Sequence, residues 1–130
     1  MAIDSVLEAS RAGMTFERLR LDVASRNIAA ANMPLPPNAA ATRQEVSVPA
    51  FSAQLGNGGV STVQSPMATR LVHEPGNPMA DAKGMVRYPA TDMVGEMTTL
   101  VTASRGYEAN VRAFNLLRGM MLRALEIGAK

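Results

Sequence analysis

The sequence contains no cysteine and one histidine, His73. Without thiols the chain cannot form disulfides, iron–sulfur clusters or cysteine-ligated zinc sites, and it has no thiol nucleophile. A single imidazole excludes multi-histidine metal sites and most catalytic triads. We therefore predict no metal site, no cofactor and no catalytic residue, and we expect the protein not to be an enzyme.

Large aromatic side chains and long apolar runs are also scarce. Aromatic residues make up 4% of the 130 residues, tryptophan is absent, and ten methionines occupy apolar positions. No segment approaches the roughly 20 apolar residues of a membrane span. The N-terminus lacks the basic region and apolar core of a cleaved signal peptide. A formal net charge of +2 argues against strong binding to a phosphate backbone, so we predict no nucleic-acid partner.

Proline is missing from both ends of the chain, because all eight prolines lie between Pro34 and Pro89. A proline inside a helix costs about 3 kcal/mol, so this distribution indicates two helical ends and a non-helical centre. We predict an N-terminal helix over residues 1–33, a linker and small β-rich middle domain over 34–91, and a C-terminal helix over 92–130.

Apolar residues in both ends recur at alternating steps of three and four, which is typical of a heptad stripe. The N-terminal stripe is Ile3, Leu7, Met14, Leu21, Ala24, Ile28 and Ala31, interrupted by Ser10 and Glu17. The C-terminal stripe is Met93, Met97, Leu100, Tyr107, Val111, Phe114, Met121 and Leu125, interrupted by Ser104 and Arg118. Ser5 and Glu8 fit a capping box for the first helix, and Thr91 or Asp92 can cap the second.

The C-terminal stripe widens after Phe114 to take in Leu116, Leu117, Met120, Leu122 and Ile127. A helix that is apolar on most sides is normally buried on most sides, yet a chain of this size has little to bury it with. We therefore expect the two helices to be completed by packing against neighbouring chains.

The middle of the chain carries four short β-like runs, over residues 45–51, 60–64, 67–73 and 84–88. Turn-forming residues separate them at 56–59 and 74–78, and residues 33–43 are typical of an extended linker. These features predict a small β element or a pair of hairpins.

Three groups of residues invite a chemical interpretation that the pattern does not favour. His73, Glu74 and Asp81 flank a turn and lack a nucleophile. The glycine-rich run at 56–59 lacks the Lys-Ser/Thr of a phosphate-binding loop, so a hairpin turn is favoured there. The arginines of the second helix are interleaved with glutamates, which favours ion pairs or a solvated face over nucleic-acid binding.

Two stretches resemble the axial proteins of the bacterial flagellum, the rod and hook family. The first is residues 19–34, in which Asn27-Ile28-Ala29-Ala30-Ala31-Asn32 closes the first helix. The second is residues 71–128, with Glu74-Pro75-Gly76-Asn77-Pro78 followed by Ala80-Asp81 and Gly84, and with Arg105-Gly106-Tyr107-Glu108-Ala109-Asn110. Met85 stands where the family usually has tyrosine, and Ala90-Thr91 replaces the usual Asn-Val.

The resemblance implies a mainly α fold. Its long N- and C-terminal helices would pair as an antiparallel coiled-coil-like hairpin of the type called D0 in this family, beside a small irregular β-rich middle domain. It implies a structural subunit of the proximal rod of the basal body, which assembles helically, transmits motor torque and lines the export channel. Export would proceed without a cleaved signal peptide, and the protein would reside in the periplasmic rod.

The partners implied are other proximal and distal rod proteins, the rod–ring junction protein FliE, the MS ring and the flagellar type III export apparatus. The alternatives are another axial rod subunit and a cytoplasmic helical adaptor protein. We expect the subunit interface to comprise Ile3, Leu7, Met14, Leu21, Ala24, Asn27, Ile28, Ala31, Asn32, Met93, Met97, Leu100, Arg105, Tyr107, Asn110, Val111, Phe114, Met121 and Leu125.

Overall fold

Two long helices flank two antiparallel β-ribbons in a computed structural model, which describes residues 2–48 and 59–129. The helices are α1 (Ala2–Ala30) and α2 (Met93–Gly128). Between them lie β1 (Thr42–Ser47), β2 (Ser61–Pro66), β3 (Thr69–His73) and β4 (Met85–Pro89). The predicted mainly α fold with a small β-rich middle is confirmed, whereas the division into three domains stays a prediction.

The predicted starts of the two helices had different outcomes. Asp92 caps α2, because its carboxylate accepts a hydrogen bond from the Gly95 N–H at 3.1 Å, as predicted. The capping box of Ser5 and Glu8 was wrong: α1 already runs from Ala2, so both residues lie inside the helix. An N-cap must precede the first helical turn, and Ser5 does not.

The two helices pack antiparallel in one constant register. A Cβ added at Gly13 would lie 2.8 Å from Asn110 Oδ1, and one added at Gly106 would lie 2.8 Å from the Glu17 carboxyl group. Near the other end Asn27 Nδ2 donates to Glu96 Oε1 at 3.0 Å. The two residue numbers add to 123 in every pair, so the register holds for about four helical turns.

The contact between the helices is made of small and polar side chains. Ala24 and Ala103 are fully buried, and Ser10 and Asn27 are buried beside them. Because glycine and alanine allow two helix backbones to approach closely, the larger apolar side chains are left on the flanks of the pair. The predicted C-terminal stripe therefore lies beside this contact, with Met97 and Tyr107 exposed.

The β-ribbons are two separate two-stranded sheets. Thr42 to Ser47 pair with Pro66 to Ser61, and Thr69 to His73 pair with Pro89 to Met85. All four predicted β-like runs overlap these strands. Residues 49–51 of the first run and 56–58 of the glycine-rich turn lie outside the described residues.

The segment predicted as an extended linker over 33–43 is instead held against the second ribbon. The Leu35 N–H donates to the Arg87 carbonyl at 2.8 Å, and Arg87 Nη1 donates to the Pro37 carbonyl at 2.9 Å. Ala41 is buried, and Thr42 already pairs with Pro66. These hydrogen bonds join residues that are far apart in the sequence, so local composition does not reveal them.

The loop between β3 and β4, residues Glu74–Gly84, is closed by hydrogen bonds. The Glu74 N–H donates to the Gly84 carbonyl at 2.8 Å, and the Asp81 N–H donates to the Met85 carbonyl at 2.9 Å. Gly84 has a φ of +73°, which side chains of other residues rarely tolerate. The predicted turn at 74–78 is confirmed.

Replacing Gly84 with alanine is expected to lower the free energy of unfolding by about 1–2 kcal/mol. The cost arises from the positive φ, and an added Cβ would also lie 3.1 Å from Pro75 Cβ. Gly76→Ala is the matched control in the same loop, since nothing lies within 4 Å of its added Cβ. Urea denaturation of both variants checks the prediction, and equal stabilities would contradict it.

Candidate subunit interface

Asn27 joins three elements at the buried end of the helix pair. Its Nδ2 donates to the Gln44 carbonyl at 2.9 Å and to Glu96 Oε1 at 3.0 Å, while its Oδ1 accepts from the Gln44 N–H at 3.0 Å. The side chain is 7% exposed. A buried amide with both ends satisfied holds α1, β1 and α2 in one arrangement, which fixes the helix faces that remain outside.

The other three polar residues expected at the interface occupy different settings. Asn32 Oδ1 accepts from Arg70 Nη2 at 3.2 Å. Asn110 Nδ2 donates to the Gly106 carbonyl at 3.0 Å, while its side chain packs against Gly13. Arg105 is exposed on α2. Asn27, Asn32 and Asn110 thus organise the chain internally, and Arg105 is available to a partner.

The first ribbon covers one side of the helix pair. Phe16, Val23 and Val46 line an open cleft of about 380 Å³ between α1, β1 and α2. Val23 is buried there, and the side chain of Val48 at the rim is exposed. The first ribbon does not cover the opposite side of the helix pair.

That opposite side is an apolar groove running along both helices. At about 100° per residue, Leu7, Met14 and Leu21 lie roughly 40–80° around α1 from its contact with α2. Leu100 and Val111 lie at similar angles around α2 from its contact with α1. Because the two right-handed helices run antiparallel, a rotation in the same sense around each helix leads to the same side of the pair. All five side chains are half-buried, and Met14 shares a shallow depression with Tyr107. We call this surface the helix groove.

The back of α2 carries a second apolar surface, formed by Val94, Met97 and Val101. Their exposed fractions are 77%, 53% and 51%. With Thr98, Thr102 and Arg105 they line an open depression of about 450 Å³. Spacings of three, four and seven residues put these three side chains along one line of the helix. We call this surface the α2 ridge.

The C-terminal end of α2 is a third uncovered apolar surface. The register that pairs Gly13 with Asn110 places Ala2 opposite Met121, so later residues extend past Ala2. Leu125 is 63% exposed and Ile127 is 78% exposed. Leu116, Met120 and Leu122 are exposed as well. These exposed apolar side chains make this end of α2 a candidate site of protein interaction.

The residues expected at the interface fall into three classes of exposure in the single chain. Three are buried: Ala24, Asn27 and Ala31. Ten are half-buried: Leu7, Met14, Leu21, Ile28, Met93, Leu100, Asn110, Val111, Phe114 and Met121. Five are exposed: Asn32, Met97, Arg105, Tyr107 and Leu125. The side chain of Ile3 lies outside the described residues.

Comparison with known proteins identifies the family. Residues 82–127 match the family described as flagellar basal body rod FlgEFG protein, C-terminal. The flagellar basal-body rod protein FlgC of Escherichia coli O6:H1 is 38% identical, covering 98% of this chain and 99% of its own length. The chain belongs to the FlgC family. The FlgC proteins of Salmonella typhimurium and Bacillus subtilis are 37% and 34% identical, covering 98% and 94% of this chain.

Membership of the FlgC family confirms the resemblance seen in the sequence, and with it a structural rather than an enzymatic role in the basal-body rod. The alignment with FlgC from Bacillus subtilis spans 95% of that protein's length, so the similarity extends through the middle of the chain as well as the helices. Within residues 2–48 and 59–129, no helix is both long and apolar enough to cross a membrane.

The residues that invited a catalytic interpretation serve the β3–β4 loop instead. Glu74 Oε2 accepts from the Tyr88 hydroxyl at 3.0 Å and from Asn77 Nδ2 at 2.9 Å. The Asp81 carboxylate accepts from the Lys83 and Met85 N–H groups at 2.8 Å and 2.9 Å. In the described part of the chain no cluster of three or more His, Cys, Asp or Glu residues could hold a metal ion.

Hydrogen bonds from the Met85 and Lys83 N–H groups lower the pKa of Asp81 below its ordinary 3.8. A lowered pKa in the folded state means that these bonds stabilise the loop above the unfolded-state pKa and are lost as the pH falls through the folded-state value. We expect the Lys83 and Met85 amide resonances to titrate together, with a midpoint below pH 3.8. Asp81→Asn is the control, in which that transition is absent; a midpoint above 3.8 would contradict the assignment.

Two exposed residues of the α2 ridge were not among those expected at the interface. Val94 and Val101 are not members of the predicted stripe, although they share the α2 ridge with Met97, which is a member. Their seven-residue spacing is the signal that could have identified them.

Arg112 lies 3.8 Å from Glu108 with both side chains largely exposed, an ion pair that contributes little to stability.

Proposed function

We propose that this chain is a structural subunit of the proximal rod, which assembles helically with other rod proteins, transmits motor torque towards the hook and lines the export channel. The observation that carries the proposal is the apolar surface left uncovered on three sides of the helix pair. Val94, Met97, Leu125 and Ile127 are each more than half exposed. A monomeric soluble protein rarely exposes large apolar patches, and such patches mark interaction surfaces.

The two helices would form a coiled-coil-like unit that becomes complete in the rod. Within one chain the fully buried part of their contact consists of small and polar residues, and the larger apolar side chains beside it keep part of their surface exposed. The helix groove has the shape that accepts a third helix, in the way that two packed helices accept another in a bundle. Burying a large apolar side chain that is exposed contributes about 1.5–3 kcal/mol, so covering residues such as Val94 and Ile127 on assembly would add to the stability of the subunit.

The interface proposed for the subunit comprises the helix groove, the α2 ridge and the C-terminal end of α2. Leu7, Met14, Leu21, Leu100 and Val111 lie in the helix groove, Met97 and Arg105 line the α2 ridge, and Leu125 lies at the C-terminal end of α2. Contacts of different surfaces on successive subunits are heterologous, and such contacts build an open helical assembly when they do not close.

The proposed partners are other proximal and distal rod proteins, the rod–ring junction protein FliE and the MS ring. The proposed route is export by the flagellar type III apparatus without a cleaved signal peptide, to a final position in the periplasmic rod. Helices held by small residues and few ion pairs would unfold readily, which suits transport of an extended chain.

Isolation of basal bodies tests the proposal. An epitope-tagged chain, expressed in cells that lack the native gene, is expected to restore motility and to be recovered in detergent-extracted basal bodies. The same tag on an unrelated cytoplasmic protein controls for contamination. Recovery only from the cytoplasm would favour the helical adaptor and contradict the proposal, and imaging that places the tag elsewhere on the axis would identify another axial subunit.

A further inference from the structure

Arg70 on β3 reaches across to the C-terminal end of α1. Its Nη2 donates to the Asn32 side-chain oxygen at 3.2 Å and to the Ala31 carbonyl at 3.4 Å. Ala31 is buried, and its carbonyl lies just past the last helical residue, Ala30. A cation bonded to the free carbonyl end of a helix is favoured by the helix dipole as well as by the hydrogen bonds.

The same guanidinium lies over the ring of Tyr88 on β4, 4.9 Å from its centroid. Tyr88 in turn donates its hydroxyl hydrogen to Glu74 Oε2 at 3.0 Å, at the start of the β3–β4 loop. Glu74 also accepts from Asn77 Nδ2 at 2.9 Å, and Asn77 Oδ1 accepts from the Met79 N–H at 3.0 Å. A continuous chain of contacts therefore runs from the end of α1 to the outer part of the loop.

We propose that Arg70 couples the C-terminal end of α1 to the Glu74–Gly84 loop and thereby holds that loop in one orientation relative to the helix pair. Arg70 bonds the helix end and stacks on Tyr88 at once, and Tyr88 carries the connection to Glu74. A displacement of the α1 end would be passed to the loop along this route. The coupling is a property of the single chain and does not depend on the proposed assembly.

Arginine suits this position and lysine does not. The planar guanidinium can stack on a ring while its N–H groups bond two acceptors, whereas an ammonium group is a single point charge. The stacked face and the bonded edge of Arg70 point to two different elements of the chain. A residue that only balanced surface charge would not need this geometry.

Ionisation of Tyr88 distinguishes coupling from a simple charge effect. Burial, followed by the hydrogen bond to Glu74, raises the pKa of Tyr88 above its ordinary 10.0, while the positive charge of Arg70 lowers it. If Arg70 holds the loop and ring in place, Arg70→Ala exposes Tyr88 and its pKa falls towards 10.0. If Arg70 is only a nearby charge, the same variant raises the pKa of Tyr88 further.

The experiment uses the full chain with Tyr107→Phe, so that Tyr88 is the tyrosine observed in the ultraviolet titration. Amide hydrogen exchange of Asn77 and Met79 is measured in parallel. With Arg70→Ala we expect a lower Tyr88 pKa and roughly tenfold faster exchange in the loop, from loss of the charge-assisted contacts. Arg26→Ala is the matched control, because it removes an arginine whose partner is an exposed side chain one turn away on the same helix, Asp22.

Three results would overturn the proposal. The first is a higher Tyr88 pKa with unchanged loop exchange after Arg70→Ala. The second is faster exchange that also includes the Gln44 amide. That amide bonds Asn27 where α1, β1 and α2 meet, so its faster exchange would report loss of the whole fold. The third is wild-type behaviour of Arg70→Lys in both measurements, since that variant keeps the charge and loses the planar geometry.

Discussion

Replacing Asn27 with leucine is expected to lower the free energy of unfolding by about 3–5 kcal/mol, which is a large part of the stability of a small domain. Leucine has the same branched arrangement of side-chain heavy atoms as asparagine but cannot bond the Gln44 backbone or Glu96. Three partner groups on half-buried residues then lose their hydrogen bonds: the Gln44 N–H, the Gln44 carbonyl and one Glu96 oxygen. Leaving a buried polar group unsatisfied costs about 1–3 kcal/mol.

Urea denaturation followed by circular dichroism measures this effect. Asn115→Leu is the matched control, because Asn115 is exposed on α2 and its replacement is expected to change stability by no more than about 0.5 kcal/mol. Equal stabilities of the two variants would show that Asn27 does not hold α1, β1 and α2 together.

Replacing Met97 with aspartate is expected to abolish motility while leaving the folded monomer and its expression intact. Met97 is 53% exposed in the single chain, so the new carboxylate remains in water there. Once a neighbouring subunit covers the α2 ridge, the same carboxylate is buried without a partner, at a cost of several kcal/mol per subunit. Val111→Asp in the helix groove is expected to abolish motility as well.

Swimming assays and basal-body yields measure the result, and circular dichroism verifies that the Met97→Asp subunit folds. Ala109→Asp provides the matched control, because Ala109 is exposed on α2 beside the charged residues Glu108 and Arg112. Normal swimming of both Met97→Asp and Val111→Asp would remove the α2 ridge and the helix groove from the interface.

The extent of the helices could be predicted from the sequence because their limits are local. Proline segregation excludes helix from the middle, and Asp92 caps α2 by a bond to Gly95, three residues away. The capping box of Ser5 and Glu8 was wrong because α1 already runs from Ala2, so a pattern typical of a helix start lies inside the helix. Local sequence patterns therefore predicted that the two helices exist, but they did not identify the residues at the start of α1.

The contact between the helices could not be predicted from apolar periodicity. The stripes are dominated by larger apolar side chains, whereas Ser10, Ala24, Asn27 and Ala103 are the residues buried between the helices. Close approach of two backbones favours glycine and alanine, and Gly13 and Gly106 were the signal for it. The stripes instead mark surfaces that a single chain leaves partly uncovered.

The candidate interface could be predicted in outline but not in its internal connections. Asn27 and Asn32 were singled out by the resemblance, yet their partners Gln44 and Arg70 lie 17 and 38 residues away. Pairing of β1 with β2 brings Gln44 into reach, and nothing local in Thr42-Arg43-Gln44 indicates a strand. Long-range register is set by the assembled fold, so these contacts emerge only with the structure.

Subunit-resolved imaging of an intact basal body tests the central claim directly, by measuring the exposure of Val94, Met97, Val101 and Leu125 in the assembled rod. We predict that neighbouring subunits cover all four side chains, which are exposed in the single chain. An assembled rod in which these side chains still face water would contradict the claim that the helices of this protein are completed by their neighbours.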